Sequence, residues 1–130
     1  MLPSTDYQIV LVGLSKKQLK CLPVEIIGID HTESIEELRV IYSLADVFIN
    51  PTVVDNYPTT NIEASCCGTP VITYRTGGSP ESVPKSQVVE KNNVKHVKEL
   101  IKNGNLKVIQ RKDFDKSSMK EAYLNLYNSL

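Results

Sequence analysis

Apolar positions along this chain follow two rhythms. Short runs of β-formers alternate with stretches in which apolar residues fall three and four apart, the spacing of one helix face. Residues 8–12 read as a first strand ended by Gly13, and residues 16–22 as a short helix capped by Ser15 and stopped by Pro23. Residues 24–29 form a second strand interrupted by Gly28, followed by the loop Asp30-His31-Thr32. Ser34 and Glu37 have capping-box spacing and open a helix reaching about Ser43, with Ile35, Leu38 and Ile41 on one face. A third strand covers residues 45–49.

A polar loop over residues 50–59 leads to a short helix starting at Thr60. Glu63 lies three residues on, again as in a capping box, and Gly68 with Pro70 forms a stop signal. Strand four covers residues 71–74, a glycine loop follows, and a short strand falls near residues 87–89. Asn93 then caps a helix carrying Val94, Val97, Leu100 and Ile101, closed by Gly104. A last helix from about Ser117 places Met119, Ala122, Tyr123, Leu126 and Leu130 at helical intervals. Strands alternating with helices predict an α/β fold: a doubly wound, Rossmann-like parallel sheet of about five strands with helices on both faces.

In such sheets ligands collect at the carboxyl ends of the strands, which draws attention to residues 45–81. A helix N-terminus with free amides and a partial positive charge suits phosphate, and the start at Thr59-Thr60-Asn61 is placed for it. Glu63 either caps its own helix or serves a ligand there.

Composition narrows the field without adding a site. The chain has 130 residues, with fifteen basic and fifteen acidic side chains that cancel. Nothing in that balance favours nucleic acid or an anionic membrane. No apolar run approaches the ~20 residues of a membrane span, and the start Met1-Leu2-Pro3-Ser4-Thr5-Asp6 lacks the basic and apolar parts of a signal peptide. Cys21, Cys66 and Cys67 have no metal-ligand spacing and read as reduced thiols of a cytoplasmic protein. Cys66 and Cys67 are expected to pack as small apolar residues. His31 reads as a bystander loop histidine and His96 as a solvated one. Asp113-Phe114-Asp115 imitates a metal motif but falls just before the last helix, away from the strand ends.

One stretch resembles a known family in register. Ala45-Asp46-Val47-Phe48-Ile49-Asn50-Pro51, Asp55-Asn56-Tyr57-Pro58, Glu63-Ala64, Gly68-Thr69-Pro70-Val71 and Gly77-Gly78-Ser79-Pro80-Glu81 are similar to the donor-binding lobe of family-four retaining glycosyltransferases of the GT-B architecture. The family's pair of acids, eight residues apart, falls here on Asp55 and Glu63, with Asp in place of the first Glu and Asn56 in place of the following Gly. Asp is one methylene shorter, a loss of about 1.5 Å of reach.

The resemblance implies a nucleoside-diphosphate sugar as substrate, no metal or other cofactor, and transfer to a glycan or lipid-linked acceptor. Polysaccharide or glycolipid synthesis is the usual setting, in the cytoplasm or at the inner face of the inner membrane. Asp55 and Glu63 would form the catalytic pair, with Asp55 on the transferred sugar and Glu63 on the ribose. Donor contacts would also come from Gly13, Ile29, Asp30, Asn56, Tyr57, Thr59, Thr60 and Asn61, while Gly77, Gly78 and Glu81 shape the pocket floor. Asp55 reads alternatively as a solvated turn acid and Tyr57 as a packing residue.

Family members have a second lobe and open the donor lobe with a further strand and helix bearing an Arg and a Lys. The chain is therefore expected to be a single domain, residues 1–130, of a longer enzyme and inactive alone. Removing the first strand from the order 3-2-1-4-5-6 would close the sheet as 2-1-3-4-5, with the strand at 8–12 beside that at 45–49. Failing that, the open edge would be covered, or paired with another copy to give a homodimer. The competing reading is a non-catalytic Rossmann-like binding or assembly module. A flavodoxin-like protein is disfavoured because Gly13-Leu14-Ser15 lacks acids.

Overall fold

The computed structural model describes residues 7–109 and 114–129. The chain groups into two compact units, Met1–Val40 and Ile41–Leu130.

The first unit holds strand β1 (Ile9–Val12), helix α1 (Lys16–Leu19) and strand β2 (Ile26–Ile29). β1 and β2 pair in parallel, Ile9 opposite Ile26 through Val12 opposite Ile29. Ser15 and Gln18 form a reciprocal capping box, so α1 starts where the sequence places it, but it ends at Leu19, one turn long. Gly28 does not break β2. It sits opposite Leu11, and a Cβ there would collide with the side chains of Leu22 and Leu19. Helix α2 (Ile35–Leu44) opens with Ser34 accepting from the Glu37 amide at 3.1 Å, while the Glu37 carboxylate reaches back to the Glu33 amide at 2.7 Å. The expected capping box is thus present, stretched by one residue.

The second unit is built on strands β3 (Phe48–Asn50), β4 (Val71–Tyr74) and β5 (Val88–Val89), parallel and in that order. Helix α3 (Thr59–Cys66) connects β3 to β4 and lies against both strands. Its end follows the sequence signal. Gly68 takes φ +86, the Gly68 amide bonds the Ser65 carbonyl and the Thr69 amide bonds the Ala64 carbonyl, the two bonds of a Schellman motif. Two 3₁₀ turns, Ser79–Ser82 and Lys85–Gln87, lead from β4 to β5. Helix α4 (Val94–Asn103) is capped by Asn93 and closed by left-handed Gly104, both as read from the sequence.

Ile72, Tyr74, Val89 and Val97 form the core, with Val47, Leu100, Ile101 and Leu106 packed on it. Burying a side chain of that size stabilises the fold by roughly 1.5–3 kcal/mol. Gln87 is also buried and is hydrogen-bonded at both ends of its amide: the NH2 group donates to the Val71 carbonyl at 2.7 Å and the oxygen accepts from the Lys107 amide at 2.6 Å.

The α/β class and the parallel pairing are those expected, but the single five-strand sheet is not formed. Its strands divide into the ladders β1-β2 and β3-β4-β5, so the closure that would set β1 beside β3 is corrected. Each ladder present joins consecutive strands by one crossover. Register is set within each ladder separately, Ile9 opposite Ile26 in one and Phe48 opposite Val71 in the other. Helix α5 (Lys116–Asn128) forms with Asp115 as its cap, but its apolar stripe is not buried: Met119, Tyr123 and Leu126 stand exposed. Asp113 and Leu130 lie outside the described residues. No helix among the described residues is long and apolar enough to cross a membrane. The three cysteines are not joined by disulfides; Cys21 is exposed, and Cys66 and Cys67 are half-buried.

Candidate functional site

Two loops leave the carboxyl ends of neighbouring strands, residues 51–58 after β3 and residues 75–78 after β4. They meet backbone to backbone. The Gly78 amide donates to the Asn56 carbonyl at 2.6 Å, and the Thr76 hydroxyl donates to the Val53 carbonyl at 3.0 Å. Glycine is required at both positions of the pair. Gly77 has φ +46 and a Cβ there would overlap the Asp55 carbonyl, while a Cβ on Gly78 would lie 2.5 Å from the Asn56 carbonyl oxygen. The second loop therefore grips the main chain of Asp55 and Asn56. The Asp55 side chain stands half-buried, and Asn56 and Tyr57 are exposed.

Helix α3 begins at the end of the first loop. Its N-cap is Pro58, which offers no side-chain acceptor, and the helix starts one residue before the Thr60 expected. The Thr60–Glu63 capping box is corrected by this. With Pro58 at the cap, Thr60 is already the second helical residue and cannot accept from the first turn in the way a cap does. The amides of Thr59 and Thr60 have no acceptor within a helix of this start, and both residues are exposed. The Asn61 amide is taken by the Pro58 carbonyl at 3.2 Å.

The Asn61 side chain lies inside the fold. It is fully buried, its oxygen accepts from the Asn50 amide at 2.9 Å, and its own amide donates to the Ser82 hydroxyl at 2.8 Å. Ser82 passes the chain on to the Ser79 carbonyl at 2.7 Å, and Asn50 accepts from the Thr52 hydroxyl at 2.6 Å. This buried polar chain ties the end of β3, the first turn of α3 and the Ser79–Ser82 turn together. The Ser79 hydroxyl is buried without a hydrogen-bond partner among the described residues.

The Glu63 carboxylate is exposed one turn into α3 and accepts from the Tyr42 hydroxyl at 3.4 Å. Tyr42 lies in α2, is 8% exposed, and meets the Phe48 ring edge-on at 5.3 Å. The Thr69 hydroxyl donates to its carbonyl. Burial first, and then the negative charge of Glu63, push the Tyr42 hydroxyl up to about 12.

In the first unit, Gly13 has φ +85, and its amide and that of Leu14 both donate to the Ile29 carbonyl, at 3.0 and 3.2 Å. The open side of Gly13 meets nothing within 4 Å. Asp30 accepts from the His31 amide at 2.9 Å and faces the His31 ring at 3.1 Å, contacts that hold its carboxyl below the ordinary range, the amide first. His31 is thereby the partner of Asp30. Near the other end, Asp115 accepts from the Ser117 hydroxyl at 2.6 Å as it caps α5.

Sequence reasoning brings Asp55, Asn56 and Tyr57 to the loop that Gly77 and Gly78 hold, and Thr59, Thr60 and Glu63 to the first turn and a half of α3. It missed Tyr42, Asn50, Thr76 and Ser82. An Asn closing an apolar strand and a Thr just before a glycine pair are the only signals of two of them. Nothing in an apolar helix face marks the Tyr42 hydroxyl.

The sequence pattern of the glycosyl transferases group 1 family matches residues 2–120. A relative, the D-inositol 3-phosphate glycosyltransferase of Corynebacterium jeikeium (strain K411), is 42% identical over 48 residues, 37% of this chain and 12% of that protein.

Proposed function

The chain belongs to the group 1 glycosyl transferases, and we propose that it is the donor-binding part of a retaining enzyme, taking a nucleoside-diphosphate sugar for transfer to a glycan or lipid-linked acceptor. The observation that carries this reading is the bare start of α3: no side chain caps it, and Thr59 and Thr60 are exposed. A diphosphate there would gain two amides, two hydroxyls and the helix partial charge of roughly +0.5, with no metal needed.

Glu63, further along the same helix, offers a carboxylate to the paired hydroxyls of a ribose, a charge-assisted contact. Asp55, held through its main chain by Gly77, offers a second carboxylate to the sugar hydroxyls. Asn61 contributes from behind: buried between Asn50 and Ser82, it keeps the first turn of α3 in place. In such a site the chemistry would be electrostatic. As the glycosidic bond breaks, charge builds on the leaving diphosphate, and fixed amides already aimed at it lower the barrier. The relative's activity, glycosyl transfer, agrees with this reading. A cytoplasmic location would follow from the donor.

Calorimetric titration with UDP, GDP and their sugars, with and without EDTA, tests the proposal. Saturable heat that EDTA leaves unchanged supports it, and no heat with any of them at millimolar ligand overturns it.

A further inference from the structure

The ribose role proposed for Glu63 leaves a physical problem. Glu63 is exposed on α3, and a solvated glutamate samples several rotamers, losing up to about 1.5–2 kcal/mol of entropy when one is fixed. The one side-chain hydrogen bond described for its carboxylate comes from Tyr42 at 3.4 Å. Tyr42 is itself fixed from several sides. Its ring is buried and packs edge-on against Phe48, and its carbonyl receives the Thr69 hydroxyl, which is buried beside Pro70. A rigid donor thus faces a mobile acceptor.

We infer that Tyr42 is a positioning residue for Glu63: its hydroxyl holds one carboxylate oxygen so that the other is presented to the ribose hydroxyls. This inference rests on the donor-binding reading above. A carboxylate has about four acceptor sites, so one bond from Tyr42 leaves room for two from a ribose. The 3.4 Å separation is long for a hydroxyl–carboxylate bond, and such bonds tighten when the ligand arrives. The raised Tyr42 hydroxyl stays a donor throughout the physiological range, so the contact does not switch off with pH.

A purely structural Tyr42 would merely satisfy its buried hydroxyl on a nearby carboxylate. Removing it would then alter stability and leave ligand choice alone. The two roles separate with whichever of UDP or GDP binds the chain, compared with its 2′,3′-dideoxy analogue. Tyr42→Phe keeps the ring and removes the hydroxyl. Positioning predicts that it weakens the ribose-bearing ligand about fivefold, while the dideoxy analogue stays within about twofold. The Tyr42→Phe, Glu63→Gln double variant should bind no more weakly than Glu63→Gln alone. Phe48→Leu, which disturbs the packing without touching the hydroxyl, serves as a control and should affect both ligands equally.

Equal loss on both ligands, or losses that add in the double variant, would overturn the inference and leave the donor-binding reading standing. No binding of UDP or GDP by the unaltered chain would overturn both.

Discussion

The α-carbon of Gly77 faces the main-chain carbonyl of Asp55 with no room for a Cβ between them. This contact brings the loops after β3 and β4 together, and it makes the position of the Asp55 carboxylate depend on a residue that carries no side chain. Gly77→Ala must displace backbone as well as adopt φ +46. A loss of about 2–4 kcal/mol in urea unfolding is expected, the sum of a left-handed residue and an overpacked contact. Gly104→Ala makes the comparison. It also has a positive φ, but nothing lies within 4 Å, so about 1–2 kcal/mol is expected.

Asn61, Ser82 and Ser79 are neighbours with opposite predicted responses. Asn61→Ala strands the buried Asn50 amide and removes the donor to Ser82, and should cost about 2–4 kcal/mol. Ser82→Ala breaks one link at each side and should cost about 1–2 kcal/mol. Ser79→Ala removes a buried hydroxyl that has no partner among the described residues, so the same denaturation curves should move by less than about 0.5 kcal/mol or toward higher stability.

Tyr42 gives the fold an alkaline limit. Its hydroxyl titrates at about 12 in the fold against an ordinary 10. A raised value means that the neutral form is the one the fold prefers. Its contribution is therefore complete below pH 10 and is lost as pH climbs through about 12. Thermal melts of the unaltered chain and of Tyr42→Phe should run parallel to about pH 10 and converge or cross above it. Parallel melts throughout would show that burial at Tyr42 has no influence on its proton.

Helix α5 should tolerate change. None of its described residues is buried, so Leu126→Gln or Tyr127→Ser should shift the stability of this chain by no more than about 0.5 kcal/mol. A larger loss in thermal melts would place that stripe against the rest of the chain.

What the residue pattern made legible was local. Ser15, Asn93, Gly68 and Gly104 act at helix ends through their own or adjacent backbone, and each does what its type suggests. The Thr60–Glu63 spacing misled because capping also requires the right start, and Pro58 moved that start by one residue. The missing closure of β1 on β3 and the bare face of α5 are matters of distant pairing, on which hydrophobic rhythm is silent. Nor does rhythm foresee Asn61, a polar residue of the kind usually left in water, buried here because Asn50 and Ser82 satisfy both ends of its amide.

Helix α3 is finished at its tail and unfinished at its head. Gly68 ties the last carbonyls down, whereas Pro58 leaves the leading amides with no internal acceptor. Fraying therefore starts at Thr59, and an arriving anion would act as the cap the chain omits. Solvent exchange of the Thr59 and Thr60 amide protons should then slow on ligation while that at Gly68 holds steady.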